Sequence, residues 1–306
     1  MAKLFKISTL LFMSVLFSLV GGAQENKTGS LRNEIRQIIA GKNAVVGVSI
    51  IGINGDTISV NGDRHFPMQS VFKFHIALAV LAEVDKGNLS LNQQIKITID
   101  KFLPKDFWSP LRDENPNGGT FTIAKLIEYT VSQSDNIACD ELIKLVGTPK
   151  TVEEYIRKNG ISEIQITYNE KDMQAKWENM FLNRTTPKAA SATLKMFYEN
   201  RNNLMSKASY DFFWKTNIET TTGVNRIKGQ LPKGTVVAHK TGWSGTNKAT
   251  GITAAVNDIG IVFLPDGRYF IISVFVTDSK EDFDTNERII ADIAKAAYDY
   301  FTLPNR

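Results

Sequence analysis

The chain has 306 residues, 42% of them hydrophobic and 22% charged, enough apolar material for a substantial core. Its formal charge of +4 is nearly balanced and its basic residues are scattered, which argues against a nucleic-acid binder. His65, His75 and His239 stand at no ligand spacing from one another or from the one cysteine, Cys139, so an intramolecular disulfide is excluded and a zinc site is not expected.

Residues 1–23 hold Lys3 and Lys6, an apolar run over 10–20, and the small residues Gly21, Gly22 and Ala23. This is the pattern of a cleaved secretory signal, since the run falls short of the about 20 residues that span a membrane. The expected mature protein is soluble and exported, which in a Gram-negative cell means periplasmic. An amphipathic helix follows over 31–40, then strands over 44–51 and 57–60 around the turn Asn54-Gly55-Asp56. The stretch 70–86 reads as a helix that is apolar nearly all round and closes at Gly87. Further helices are predicted over 123–132, 137–146, 151–159, 187–200 and 207–217. Strands return over 236–240, 253–263 and 269–276, with Pro265-Asp266-Gly267 turning between the last two, and a closing helix begins near 286. Strands at both ends with helices between predict an α/β domain from 24–66 and 221–306 and an all-α domain, 67–220, inserted into it. The cleft between the two is the expected site.

Three short motifs carry chemistry: Ser70-Val71-Phe72-Lys73, Ser134-Asp135-Asn136 and Lys240-Thr241-Gly242. A serine in the first turn of a helix and a lysine at i+3 share a face and can touch, and the apolar surroundings place Lys73 in a desolvated setting suited to proton transfer. Alone, the pair also fits a capping serine with a snorkelling lysine. Ser134-Asp135-Asn136 lies between two helices, where short polar residues often cap; in a catalytic reading Ser134 relays a proton and Asn136 binds a substrate amide. Lys240-Thr241-Gly242 ends an apolar strand, so its lysine and hydroxyl would meet a ligand carboxylate while Gly242 allows close backbone approach.

Taken in this order, the motifs resemble those of the class A serine β-lactamases and their penicillin-binding relatives. The similarity is closest to the PER and VEB type branch, through Phe66-Pro67-Met68-Gln69-Ser70, Glu219-Thr220-Thr221-Thr222-Gly223, Lys228-Gly229-Gln230-Leu231-Pro232 and Ala238-His239-Lys240-Thr241-Gly242. The resemblance implies an antiparallel sheet flanked by helices, no cofactor, a monomer, and small-molecule β-lactams as substrates. It also implies that Glu170, in Asn169-Glu170-Lys171-Asp172-Met173-Gln174, activates the deacylating water on a loop closed by Asn183 and Thr186-Pro187. By the same matching, Arg226 supports carboxylate recognition with Thr222 nearby, Trp108 walls the cleft, and the backbone N–H groups of Ser70 and Trp243 form the oxyanion hole.

Two positions depart from the pattern. Trp243 stands where a small or hydroxylated residue is usual, and its indole is expected beside the substrate, narrowing or redirecting the site. Gln174 stands where asparagine or histidine helps hold the water. Two rival readings remain at this stage: a D,D-peptidase, which would lack the deacylating glutamate, and a silenced relative that only binds β-lactams.

Overall fold

The computed structural model describes residues 28–303, so the expected signal segment, 1–23, lies outside the described residues. Helix α1 runs through residues 28–39, followed by strands β1 (Val45–Ile51) and β2 (Thr57–Val60), joined by the expected turn, in which Gly55 has φ +84°. A short strand β3 (Phe66–Pro67) leads through a 3-10 turn, Gln69–Val71, into α2 (Phe72–Asp85). The predicted helix thus starts two residues later than its motif, because Ser70 and Val71 belong to the 3-10 turn that leads into it.

The middle of the chain is helical with small strands between. It comprises β4 (Gln94–Ile97), α3 (Pro110–Glu114), β5 (Gly119–Thr122), α4 (Ile123–Ser132), α5 (Asn136–Val146), α6 (Pro149–Lys158), β6 (Ile164–Gln165), α7 (Glu170–Gln174), β7 (Arg184–Thr185), α8 (Pro187–Glu199) and α9 (Lys207–Ile218). The chain closes with β8 (Val237–Trp243), β9 (Val256–Phe263), β10 (Tyr269–Thr277) and α10 (Phe283–Thr302). The five long strands form one antiparallel sheet in the order β2-β1-β10-β9-β8, so N-terminal strands pair with C-terminal ones as anticipated.

Strand alternation divides the apolar residues between two cores. On one face Val46, Val48 and Ile50 of β1 and Phe270, Ile272 and Val274 of β10 pack with Leu31 and Ile35 of α1 and Ile289, Ile290 and Ile293 of α10. The other face, with Ile259, Ile261, Ile271 and Phe275, joins a larger core that includes all of α2 from Phe72 to Leu81. Helix α8 lies directly against β1 and β10, although it falls within the span read as the inserted helical domain. Because α2 is buried on every side, it is a fixed pillar, and the residues at its N-terminal end are placed by the whole core.

Candidate active site

Ser70 occupies the middle of the 3-10 turn that enters α2. Asn257 of β9 donates to the carbonyls of Pro67 (2.8 Å) and Met68 (3.0 Å), fastening that turn to the sheet. Gly242 of β8 packs so tightly here that a Cβ would fall 2.4 Å from Met68 O and 3.3 Å from Ser70 N, so glycine is required. The amide of Gln69 donates to Met180 O at 2.8 Å and ties the same turn to the loop that carries Glu170. A left-handed non-glycine residue costs roughly 1–3 kcal/mol, and these contacts hold Gln69 in place against it.

Lys73 lies one turn along α2, wholly buried. Its Nζ is 3.0 Å from Ser70 Oγ, 2.6 Å from both Ser134 O and Asn136 Oδ1, and 2.9 Å from Glu170 Oε1. An ammonium has three protons and here meets four oxygens, so the Ser70 hydroxyl keeps its own proton for Glu170 Oε1 at 3.3 Å. Ser134, with φ +61°, turns its Oγ toward Lys240 Nζ at 2.9 Å. That conformation is held by Asp135, which accepts from Ser109 Oγ (2.8 Å), Leu111 N (2.7 Å) and Ala138 N (2.8 Å). Burial, and next the nearby charge of Lys73, depresses the Lys240 pKa well below the usual lysine range.

Glu170 opens the one-turn helix α7. Asp140 of α5 accepts from the backbone N–H groups of Glu170 (2.7 Å) and Lys171 (3.1 Å), docking the helix N-terminus, while Gln174 donates to Glu170 Oε2 at 2.8 Å. Gln174 therefore grips the carboxylate itself. Burial, followed by the charge of Glu170, raises the Asp140 pKa to about 7. The loop is closed by Asn183, which accepts from Thr167 N and Tyr168 N and donates to Tyr168 O, all within 2.9 Å.

A serine, two lysines and a carboxylate held in mutual contact can make and break an acyl ester. A profile described as "Beta-lactamase enzyme family" matches residues 30–301. The chain belongs to the β-lactamase enzyme family. It is 49% identical over 300 residues to β-lactamase VEB-1 of Pseudomonas aeruginosa, covering 98% of this chain and 99% of the relative. It is 44% identical to the extended-spectrum β-lactamase PER-1 of the same organism over 273 residues, 88% of this chain and 87% of that one. The solved structure of TLA-3 extended-spectrum β-lactamase superposes with a TM-score of 0.86 at 48% identity, over 89% of this chain and 98% of that chain. The fold is that of the class A serine β-lactamases.

Other anticipated positions in this β-lactamase take up different stations. Along β8 the carbonyls of His239 and Thr241 turn to the open edge, where they accept from Thr220 Oγ1 (2.8 Å) and Lys240 Nζ (3.0 Å); the same alternation directs the Trp243 N–H to that edge. Its indole goes elsewhere. Lys240 and Gly242 face the nucleophile, whereas Thr241 and Trp243 face the other way, Thr241 to the Thr222 hydroxyl at 2.7 Å and Trp243 to the Phe283 ring with centroids 4.9 Å apart. The indole thus packs on Phe283 at the strand end rather than over the nucleophile. Trp108 is 59% exposed and donates to Gln133 O at 2.8 Å, beside the loop that carries Ser134.

Arg226 is buried under β8, paired with Glu287 at 3.0 Å and donating to the carbonyls of Gly242 (3.1 Å) and Asn257 (3.0 Å). It braces the strand more than it reaches into the cleft. Asp140, Asn257 and Glu287 are supporting residues that motif reading passed over. Asn257-Asp258 interrupts the apolar run of β9 and Asp140 follows the apolar pair Ala138-Cys139; such polar residues inside apolar runs are the signal that could have singled out Asn257 and Asp140, though not their partners, and Glu287 carries no such signal.

Proposed function

We propose that this β-lactamase opens the lactam amide of penicillins and cephalosporins, extended-spectrum cephalosporins included, through an acyl-enzyme on Ser70. The observation that carries the reading is the simultaneous reach of Lys73 and Glu170 to Ser70 Oγ, at 3.0 and 3.3 Å. In the first half-reaction the Ser70 proton passes to this pair, Oγ bonds to the lactam carbonyl carbon, and the backbone N–H groups of Ser70 and Trp243 take the developing oxyanion. The C–N bond then breaks, and Ser134 Oγ, 2.9 Å from Lys240 Nζ, hands the proton taken from Ser70 on to the departing nitrogen. In the second half-reaction Glu170 removes a proton from water, which attacks the ester carbonyl; the acyl C–Oγ bond breaks and the proton held by Glu170 returns to Ser70 Oγ.

Asn136 would bind the amide of the substrate side chain, and Lys240 with Thr241 its carboxylate. Trp108 would line the entrance. Glu170 disfavours the D,D-peptidase reading, which lacks that step. The composition of residues 1–23 supports export to the periplasm, where these substrates arrive. Purified protein mixed with a chromogenic cephalosporin should show sustained turnover. A single stoichiometric burst would instead indicate the peptidase reading, and no reaction a silenced one.

A further inference from the structure

Trp243 and Phe283 are 53% and 39% exposed in a fold that buries most of its large apolar side chains. They pack against each other at the open end of β8, and the Phe283 ring lies 5.7 Å from the Arg226 guanidinium. Val224, 59% exposed, follows Gly223, whose missing Cβ would meet Thr241 Cγ2 at 2.5 Å and Arg226 Cδ at 3.2 Å. Exposed apolar groups thus lie on the two segments that carry the Thr222–Thr241 hydroxyl pair, Val224 two residues from Thr222 and Trp243 two residues from Thr241. Thr241 and Trp243 are two residues apart on one strand face, a separation of roughly 7 Å.

That spacing matters for a ligand whose carboxylate is held at Lys240 and Thr241. In a cephalosporin the ring carbon next to the carboxylate-bearing carbon, C3, carries the variable arm on that side, and in a penicillin the same place holds only methyl groups. The side-chain arm at C7 leaves from the opposite end of the nucleus, toward Asn136. The exposed rings are thus within reach of the C3 arm and remote from the C7 arm. Their electrostatics favour a cation: an indole face attracts positive charge, the Arg226 charge is already matched by Glu287 at 3.0 Å, and Glu281, Asp282 and Asp284 flank Phe283 in sequence against the single cation Lys280.

Resting on the proposed β-lactam hydrolysis, we infer that Trp243 and Phe283 form a recognition shelf for the C3 arm of cephalosporins, selective for planar cationic heteroaromatic arms such as pyridinium. The shelf determines specificity and touches neither Ser70 nor the lactam amide; ring opening can expel the pyridine or acetate as the electron pair of the broken C–N bond forms an exocyclic C=C at C3, and the Kd arm of the test reads the shelf free of that step.

The test uses three cephalosporins with one common C7 arm and a pyridiniomethyl, acetoxymethyl or methyl group at C3. Trp243→Ala and Phe283→Ala should each lower kcat/KM for the pyridinium compound by roughly 3- to 30-fold more than for the methyl compound, and Trp243→Phe should recover much of the difference. Calorimetric Kd values on a Ser70→Ala background, where no acylation occurs, should show the same selectivity. Losses equal across the three C3 arms, in kcat/KM or in Kd, would overturn the proposal, as would losses that follow the C7 arm in a second series. If the unsubstituted protein hydrolyses none of the three, the function reading fails; hydrolysis without C3 discrimination defeats the shelf alone.

Discussion

At the scale of single residues, the site is a set of charges that hold one another. Glu170 is 1% exposed and touches both Ser70 and Lys73, so its removal takes away the base proposed for deacylation while leaving the nucleophile and Lys73 in contact. Glu170→Ala should acylate and then stall, and intact-mass spectrometry should find a long-lived adduct on Ser70. Turnover of a penicillin at the unsubstituted rate would remove Glu170 from the mechanism. Arg226 behaves differently. A carboxylate left buried without its partner costs about 3–5 kcal/mol, so Arg226→Ala, which strands Glu287, should lower Tm as well as kcat/KM. A loss of roughly 10- to 150-fold in kcat/KM at unchanged Tm would instead identify a residue that acts by contact with substrate alone. The residues that meet around Ser70 were legible because SxxK and KTG tie a proposed chemical role to a fixed spacing. Glu287 and Asn257 were not, since they act across more than thirty intervening residues and nothing local in the sequence names their partner.

At the scale of elements, sequence reading succeeded where periodicity was long and failed where an element is short. The long helices α4, α5, α8 and α9 and the strands β8, β9 and β10 fall within a few residues of their expected spans. By contrast α7 has five residues, too few for a hydrophobic period to declare itself, and it exists because Asn169 caps it and Asp140 docks it. The strand β7 is two residues long and is fixed only by its partners β3 and β6. This docking makes a prediction for Gln174, the residue that grips Glu170 at 2.8 Å. Gln174→Ala frees one carboxylate oxygen and leaves Asp140 to hold the backbone. Deacylation should slow by roughly 10- to 150-fold, the net worth of one hydrogen bond to a charged group, while acylation measured under single-turnover conditions changes little. Equal slowing of both steps would mean that Gln174 supports the whole site rather than the orientation of Glu170.

Across the whole molecule, buried His75 and Asp140 respond to pH in opposite senses. His75 of α2 is fully buried, and burial drives its pKa from 6.5 down to about 4. The unfolded chain takes up that proton first, so the contribution of His75 is complete above pH about 6.5 and is lost as pH falls toward about 4. Asp140 is an acid whose pKa rises from 3.8 to about 7 through burial and the charge of Glu170. Here the folded protein holds the proton longer, so stability is greatest below about pH 4 and declines as pH rises toward 7. Between about pH 4 and 6.5 the two slopes, each at most about 1.4 kcal/mol per pH unit, oppose one another. The unsubstituted protein should therefore show a nearly flat urea midpoint across this window as far as these groups decide it. His75→Leu should unmask a midpoint that falls with rising pH, and Asp140→Asn one that rises, whatever constant offset each substitution adds. Urea denaturation at pH 4.5, 5.5 and 6.5 reads both slopes, and parallel profiles for the three proteins would show that neither group changes its proton occupancy on folding.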